Sequence, residues 1–447
     1  MMFDLELGPV EIVNGFGRAA GVYINVKDGT IAAMSKEKLG MAREYKDTGG
    51  LTALPGMVDE HVHFMDPGET HREDFIRGSS AAAVGGVTTV IEHTHGQPVR
   101  DVEVLKDKAA YLRNRALVDY GLAAHVWPED IPHIAELWHA GVMFFKVFTA
   151  STHGVPGLTS DELMQAFSKM AAAGARTLVH CEDESILAGN RKRLGEEGRS
   201  DNQVILDWRS REAEQMAVLA TAYLVERTGV TATLAHVSHP QVVALANHFR
   251  QTFSGTLRLE ICPQYLALDE EDVRQWGSLR KFTPPPRGAE ERKGLWSLVR
   301  SGEIFSLATD HAPSTREQKM AGTVWDAPFG LPGVETTLPV MLDFVARGFL
   351  SLERLVQLYS TNPAKAWGLF PRKGVLAVGS QADIVLVDEK KSWEIRDDLI
   401  ISKAGWTPYA GRHVTGWVHQ TYCRGILAAE DRRICGEPGI GRWVKPL

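Results

Sequence analysis

Val142-Met143-Phe144-Phe145-Lys146-Val147-Phe148 is an almost unbroken apolar run with a single charge inside it. A strand wetted on one side alternates apolar with polar residues, whereas a run like this suits a parallel sheet covered on both faces. Seven further runs of the same kind occur at 54–58, 87–92, 118–123, 176–180, 232–236, 257–262 and 304–310. Helical patterns separate them, as over 212–227, where Met216, Leu219, Ala220 and Leu224 recur at helical spacing. Eight strand-then-helix units within residues 54–364 predict an α/β fold, a (β/α)8 barrel of the triosephosphate-isomerase type.

The flanks read differently. Val22-Tyr23-Ile24-Asn25-Val26 runs into Lys27-Asp28-Gly29 and then Thr30-Ile31-Ala32-Ala33-Met34, two apolar runs joined at an Asp-Gly hairpin signal. Near the other end, Ala382-Asp383-Ile384-Val385-Leu386-Val387 and Val414-Thr415-Gly416-Trp417-Val418 are again short and strand-like. Residues 1–53 and 365–447 are therefore expected to form one composite β module, a small β-sandwich beside the barrel.

Composition narrows the partners. The 447 residues are 44% hydrophobic and 23% charged, with a net charge of −7 and no basic block. Nucleic acid or an anionic membrane would need a clustered positive face. No stretch approaches the apolar length of a membrane span, and residues 1–9, with Asp4 and Glu6, show no basic-then-apolar leader. Cys181, Cys262, Cys423 and Cys435 contain no C-x-x-C pair and make no disulfide framework in a chain this long. A reduced, cytoplasmic location is the expectation.

In a barrel of this type the reactive groups gather at the C-terminal ends of the strands. His61 and His63 follow the first run, Lys146 lies in the fourth, and His180, His236 and Asp310 end the fifth, sixth and eighth. In extended backbone the two histidines of His61-Val62-His63 share a face and can chelate one ion. Lys146 has a plain reading as a lysine snorkelling from a strand end. Its apolar neighbours favour another: a buried amine driven towards its neutral form, able to capture carbon dioxide as a carbamate that bridges two cations. At this rim Asp310 can bind a metal and take a proton from attacking water, and His311 beside it reads as structural.

With those residues placed, the chain resembles the cyclic amidohydrolases, the allantoinase, hydantoinase, dihydropyrimidinase and dihydroorotase group. The resemblance spans nearly the whole sequence. It runs through Pro55-Gly56-Met57-Val58-Asp59-Glu60-His61-Val62-His63, Asp66-Pro67-Gly68, His180-Cys181-Glu182, Ala235-His236-Val237-Ser238, Cys262-Pro263-Gln264-Tyr265-Leu266 and Thr309-Asp310-His311-Ala312-Pro313. It implies one metal held by His61, His63, Lys146 and Asp310, and a second held by the Lys146 carbamate, His180 and His236. It also implies zinc as the ion, and a homo-oligomer, a dimer or tetramer. The implied reaction is hydrolysis of a small cyclic amide by a metal-bridging hydroxide, with Asp310 as general acid and base.

The pocket positions point to an allantoin- or hydantoin-like ring. Dihydroorotases carry an arginine where this chain has Met65 and asparagines where it has Thr283 and the Glu92-His93-Thr94-His95 stretch. The D-hydantoinases and dihydropyrimidinases carry a tyrosine where it has Ser151. Met65, His95, Ser151, Cys262, Gln264 and Thr283 are the candidate substrate contacts, and the resemblance implies that backbone amides near 262–264 and Thr283 anchor the ring's imide edge. His93 and His95 fit none of these patterns; they either line the pocket or occupy a loop. The loops at 65–71 and 149–157 are expected to close over the site. The alternatives are a dihydroorotase and a non-catalytic dihydropyrimidinase-like protein, the latter expected to have lost metal ligands. A single-metal deaminase on the same barrel would not need Lys146.

Overall fold

The computed structural model describes residues 2–250 and 256–446, and it holds a barrel with a second, mostly antiparallel sheet beside it. The N-terminal strands are β1 (Phe3–Asn14), β2 (Gly17–Lys27), β3 (Thr30–Ser35), β4 (Ala42–Lys46) and β5 (Thr52–Pro55). The barrel strands are β6 (Met57–Val62), β7 (Val87–Glu92), β8 (Asp119–Leu122), β9 (Ala124–His125), β10 (Phe145–Phe148), β11 (Arg176–His180), β12 (Thr231–Leu234), β13 (Thr256–Ile261) and β14 (Ser306–Leu307). The C-terminal strands are β15 (Ile384–Glu394), β16 (His413–Cys423), β17 (Ile426–Glu430) and β18 (Arg433–Ile434).

The barrel strands pair in parallel from β6 to β8 and from β9 to β14. Strands β8 and β9 are two halves of one barrel strand, parted at Ala123. A parallel bridge between Val62 and His311 joins the ends, and His63 N–H donates to the His311 carbonyl at 2.8 Å. The ring therefore counts eight strands, as the apolar runs predict.

The first run needs correcting. Leu54 and Pro55 do not belong to the barrel; they pair with Val385 and Ile384 of β15. The first barrel strand starts at Met57, so His61 lies within it and only His63 lies past its end. Gly56 makes the switch between sheets. A Cβ there would fall 2.0 Å from the Thr88 hydroxyl, so only glycine lets β6 lie this close to β7.

The helix at Arg211–Thr228 forms as expected but turns a different face inward. Ala213, Ala217, Val218, Ala222 and Val225 are buried with Leu224, while Met216 is half exposed. Small residues let the helix lie close to the barrel, so the larger side chains of the periodic pattern misplace its inner face.

In the second sheet the hydrogen-bonded order is β18-β17-β16-β15-β5-β1-β2-β3, with β4 on β1. It folds over its own apolar core of Leu5, Leu7, Ile24, Ile31, Ile384 and Leu386, giving a β-sandwich built from both ends of the chain. The predicted hairpin is present, with Lys27 opposite Thr30 and positive φ at Asp28 and Gly29. Beyond β18 the tail leaves this sheet and runs beside β8, where Val444 N–H donates to the Tyr120 carbonyl at 2.9 Å. Met1 and Leu447 lie outside the described residues. No helix among the described residues is long and apolar enough to cross a membrane.

Candidate metal centre

Lys146 sits in the middle of β10, and His180 is the last residue of β11. His236 and Asp310 are not the last residues of β12 and β14, as the apolar runs suggest, but lie beyond them in left-handed backbone with φ of 40° and 49°. Met65 at 59° and His153 at 53° share that conformation. Such backbone costs on the order of 1–3 kcal/mol outside glycine and gathers at functional sites. Here it marks one rim.

The rim brings the six predicted ligands together. Lys146 Nζ lies 3.2 Å from His61 Nε2. Asp310 Oδ1 lies 3.2 Å from His61 Nε2 and 3.3 Å from His63 Nε2. His180 Nδ1 lies 3.0 Å from His236 Nε2.

Tautomers turn these distances into a chemical statement. His63 Nδ1–H donates to the His93 carbonyl at 3.0 Å, and His61 Nδ1–H to Glu260 Oε1 at 2.8 Å. In the neutral rings both Nε2 atoms then carry lone pairs, and those lone pairs face a carboxylate oxygen. On the other side His180 Nε2–H donates to Glu182 at 2.9 Å, which leaves its Nδ1 lone pair facing His236. His236 Nδ1 has no partner of its own, although it is buried. At His61, His63 and Asp310 acceptors face acceptors and repel unless a cation lies between them, while His236 Nε2–H can donate to His180 Nδ1 when no ion is bound. The whole set of imidazole and carboxylate donors, with Lys146 between the two groups, fits two adjacent divalent ions.

Charge placement agrees. Burial lowers the Lys146 pKa from 10.5 to about 8, against the opposing pull of Glu260 and Asp310, so the neutral amine is far more accessible than in an ordinary lysine. Burial pushes His61 well below its ordinary value and His236 down to about 3, which keeps both rings as neutral ligands. Burial alone would raise Asp310, but His61, His63 and His236 hold it well below the usual carboxylate range. Glu182 is likewise held low against burial by Arg209, His180 and Thr283.

The sequence profile of the amidohydrolase family matches residues 52–427. The chain belongs to the amidohydrolase family. An L-hydantoinase of Paenarthrobacter aurescens is 34% identical over 451 residues, covering 99% of this chain and 98% of that one. A dihydroorotase of Halobacterium salinarum is 36% identical over 374 residues, covering 83% and 85%. An allantoinase of Rubrobacter xylanophilus is 33% identical over 452 residues, covering 99% and 98%. The solved L-hydantoinase of Arthrobacter aurescens superposes with a TM-score of 0.95 at 33% identity, over 99% of this chain and 100% of that one.

The other predicted residues of this amidohydrolase are less uniformly placed. Ser151 is exposed and lines a cavity of about 810 Å³, walled by Trp127, Trp208, Trp325, Phe329, Arg209 and Lys281. The 149–157 loop borders this cavity through residues 151–156. His95 is half-buried and stacks between His63 and His153, with ring centroids 4.3 and 4.6 Å away. Met65 is buried, its sulfur 3.7 Å from the Thr94 hydroxyl. Cys262 is buried in the main apolar core, and Gln264 donates to the Thr309 carbonyl at 3.3 Å. The Thr283 hydroxyl donates to Glu182 at 2.6 Å. His311 is structural: its Nδ1 accepts from Gly333 N–H at 3.0 Å and Val334 N–H at 3.3 Å.

Sequence reasoning missed the residues that aim the ligands. Glu260 is a lone acid inside the apolar run of β13, and that was a legible signal. Glu182 follows His180 by two positions, and Arg209 donates to it at 2.9 Å from a segment no motif marks. His125 and His153 also join the rim, from β9 and from the 149–157 loop.

Proposed function

We propose that this chain hydrolyses a small cyclic amide, a ring of the hydantoin or allantoin kind, at a two-metal centre. The supporting observation is the set of ring-nitrogen and carboxylate lone pairs turned on one another at His61, His63 and Asp310, with Lys146, His180 and His236 completing the ring of donors. One ion would be held by His61, His63, Lys146 and Asp310, and the other by Lys146, His180 and His236. Zinc suits this mixture of imidazole and oxygen donors. The neutral Lys146 amine would bond to carbon dioxide and release a proton, and the resulting carbamate would supply anionic oxygen ligands to the centre.

Bound ions would acidify a water towards neutral pH and polarise the ring carbonyl. The side chains do the rest. Ionised Asp310 accepts the proton of the attacking water and returns it to the ring nitrogen as the C–N bond breaks. Glu260, the His93 carbonyl and Glu182 fix the tautomers of His61, His63 and His180, so each ring keeps a free lone pair towards the centre. The aromatic cavity beside Ser151 and His153 suits a ring substituent. We further place the enzyme in the cytoplasm as a homo-oligomer, on resemblance alone.

Met65 and Thr283 weigh against dihydroorotate. Met65 is buried and carries no charge for a substrate carboxylate, and the Thr283 hydroxyl is engaged by Glu182. The test is ring opening by zinc- and bicarbonate-reconstituted protein on hydantoins, allantoin, dihydrouracil and dihydroorotate in parallel. Turnover of a hydantoin or allantoin is expected, with Lys146→Ala losing both the activity and the metal pair. An active Lys146→Ala protein that still holds two metals would overturn the proposal, and turnover of dihydroorotate would overturn the substrate assignment.

A further inference from the structure

Three imidazoles at the rim are left over after the two-metal centre takes its ligands. His93 follows β7, His95 lies two residues on, and His125 ends β9. One ring nitrogen from each lies within 4.8 Å of the corresponding nitrogens of the other two. His125 and His93 are wholly or almost wholly buried, yet neither nitrogen of either ring has a hydrogen-bond partner, and His95 Nε2 has none. A buried polar atom without a partner costs roughly 1–3 kcal/mol, and five such atoms on three adjoining rings are not a packing accident.

We propose that His93, His95 and His125 form a third metal site, next to the two-metal centre and separate from it in its ligands. It would take a divalent ion of the zinc or cobalt class, since imidazole suits such ions and three protein ligands leave one position open. Tetrahedral zinc with nitrogen ligands at about 2.0–2.1 Å sets the nitrogens about 3.4 Å apart, so nitrogens at the 4.8 Å bound would close by about 1.4 Å. Half-buried His95 can make that adjustment. His153, whose ring centroid is 4.6 Å from that of His95 and whose Nε2 is also unpartnered, is the neighbouring group on the cavity side. Because His153 lines the large cavity, the third ion would offer the substrate-side wall a Lewis-acidic point.

A ring nitrogen of His93 also lies within 4.8 Å of ring nitrogens of His61 and His63. Those two already have Asp310 and Lys146 as companions, which frees His93 for the other triad, and its position on both borders makes it unsuitable for a test. His95 and His125 belong to the new site alone.

The site rests on the two-metal reading only for its surroundings, and metal counting separates the two. Full-length protein is loaded with zinc in bicarbonate, desalted, and its zinc per chain measured by mass spectrometry, with folding checked by circular dichroism. We expect three zinc ions in the wild type, two in His95→Asn/His125→Asn, and two in His180→Asn/His236→Asn, where the ion at the new site persists. Two ions in the wild type and still two in His95→Asn/His125→Asn would overturn the third site and leave the two-metal centre standing. Three in both would overturn it as well. One ion in the wild type, lost in His95→Asn/His125→Asn, would support the third site and sink the two-metal reading. If the double variant does not fold, His95→Asn alone serves. Loss of an outer-shell partner already weakens metal binding 10–100-fold, so loss of a ligand should raise the zinc needed to fill this site at least about tenfold; an unchanged titration would reject the site.

Discussion

Asp119, Asp383 and Cys423 meet at the seam between barrel and second sheet as closely as His61, His63 and His93 meet at the rim. The seam has its cations built in. Lys373 Nζ donates to Asp119 at 2.7 Å and to Asp383 at 2.6 Å, and Arg424 pairs with Asp119 as well. Backbone amides of Arg424 and Arg442 complete the two carboxylates at 2.8 Å. At the rim His61 Nε2 and His63 Nε2 face Asp310, their second nitrogens go to Glu260 and the His93 carbonyl, and the His93 ring has no donor or acceptor of its own. Proximity of ligand-type side chains therefore does not distinguish a lock from a reaction centre. The distinction lies in whether the lone pairs already have donors.

The largest effect that would break this comparison lies at the rim. Asp310→Asn keeps the shape and removes the base, so kcat should fall by a factor between about 10² and 10⁴ with zinc still bound. A loss below about tenfold in a zinc-loaded variant would take the proton-transfer role away from Asp310.

The seam should respond in stability. Lys373→Met leaves Asp119 and Asp383 buried against one remaining cation, and should cost about 3–5 kcal/mol of unfolding free energy. Denaturant unfolding measures it, and the zinc content of the folded fraction should stay that of the wild type. An unchanged midpoint would mean that the seam is not a lock.

A second filled cluster sharpens the contrast through pH. Glu214 is buried, and burial alone would raise it, but His239, Arg287 and Ser238 bring its pKa down from 4.5 to about 2. A depressed carboxylate stabilises the fold above its unfolded pKa and loses that contribution as pH falls through the folded value. Between pH 4.5 and 2 the wild type should therefore lose on the order of 3 kcal/mol that Glu214→Gln does not lose. Parallel melting profiles in the two proteins would contradict the assignment.

Glu260→Gln is the mildest change. It weakens the hold on His61 Nδ1 without touching a ligand, and should reduce zinc affinity or activity by roughly 10–100-fold. Zinc competition with a chelator reads it directly, and unaltered affinity and activity would make Glu260 a packing residue.

The sequence alone determined the eight-strand alternation, the β module assembled from both termini and the six polar residues near strand ends. It could do so because burial on both faces leaves a continuous apolar run, and any polar residue in or beside one stands out. It also held Glu260 in plain view. Three things were decided only by the tertiary structure. One is the inward face of the Arg211–Thr228 helix, set by close packing of small residues. Another is the position of β6, where the Leu54 and Pro55 run is claimed by pairing with β15. The third is the company of each histidine. Spacing shows which side chains can reach the rim, but Arg209 and Glu182, 27 residues apart, and His61 and Glu260, 199 apart, meet only in the folded chain. A histidine's tautomer depends on such partners, and with it which nitrogen is left for a metal.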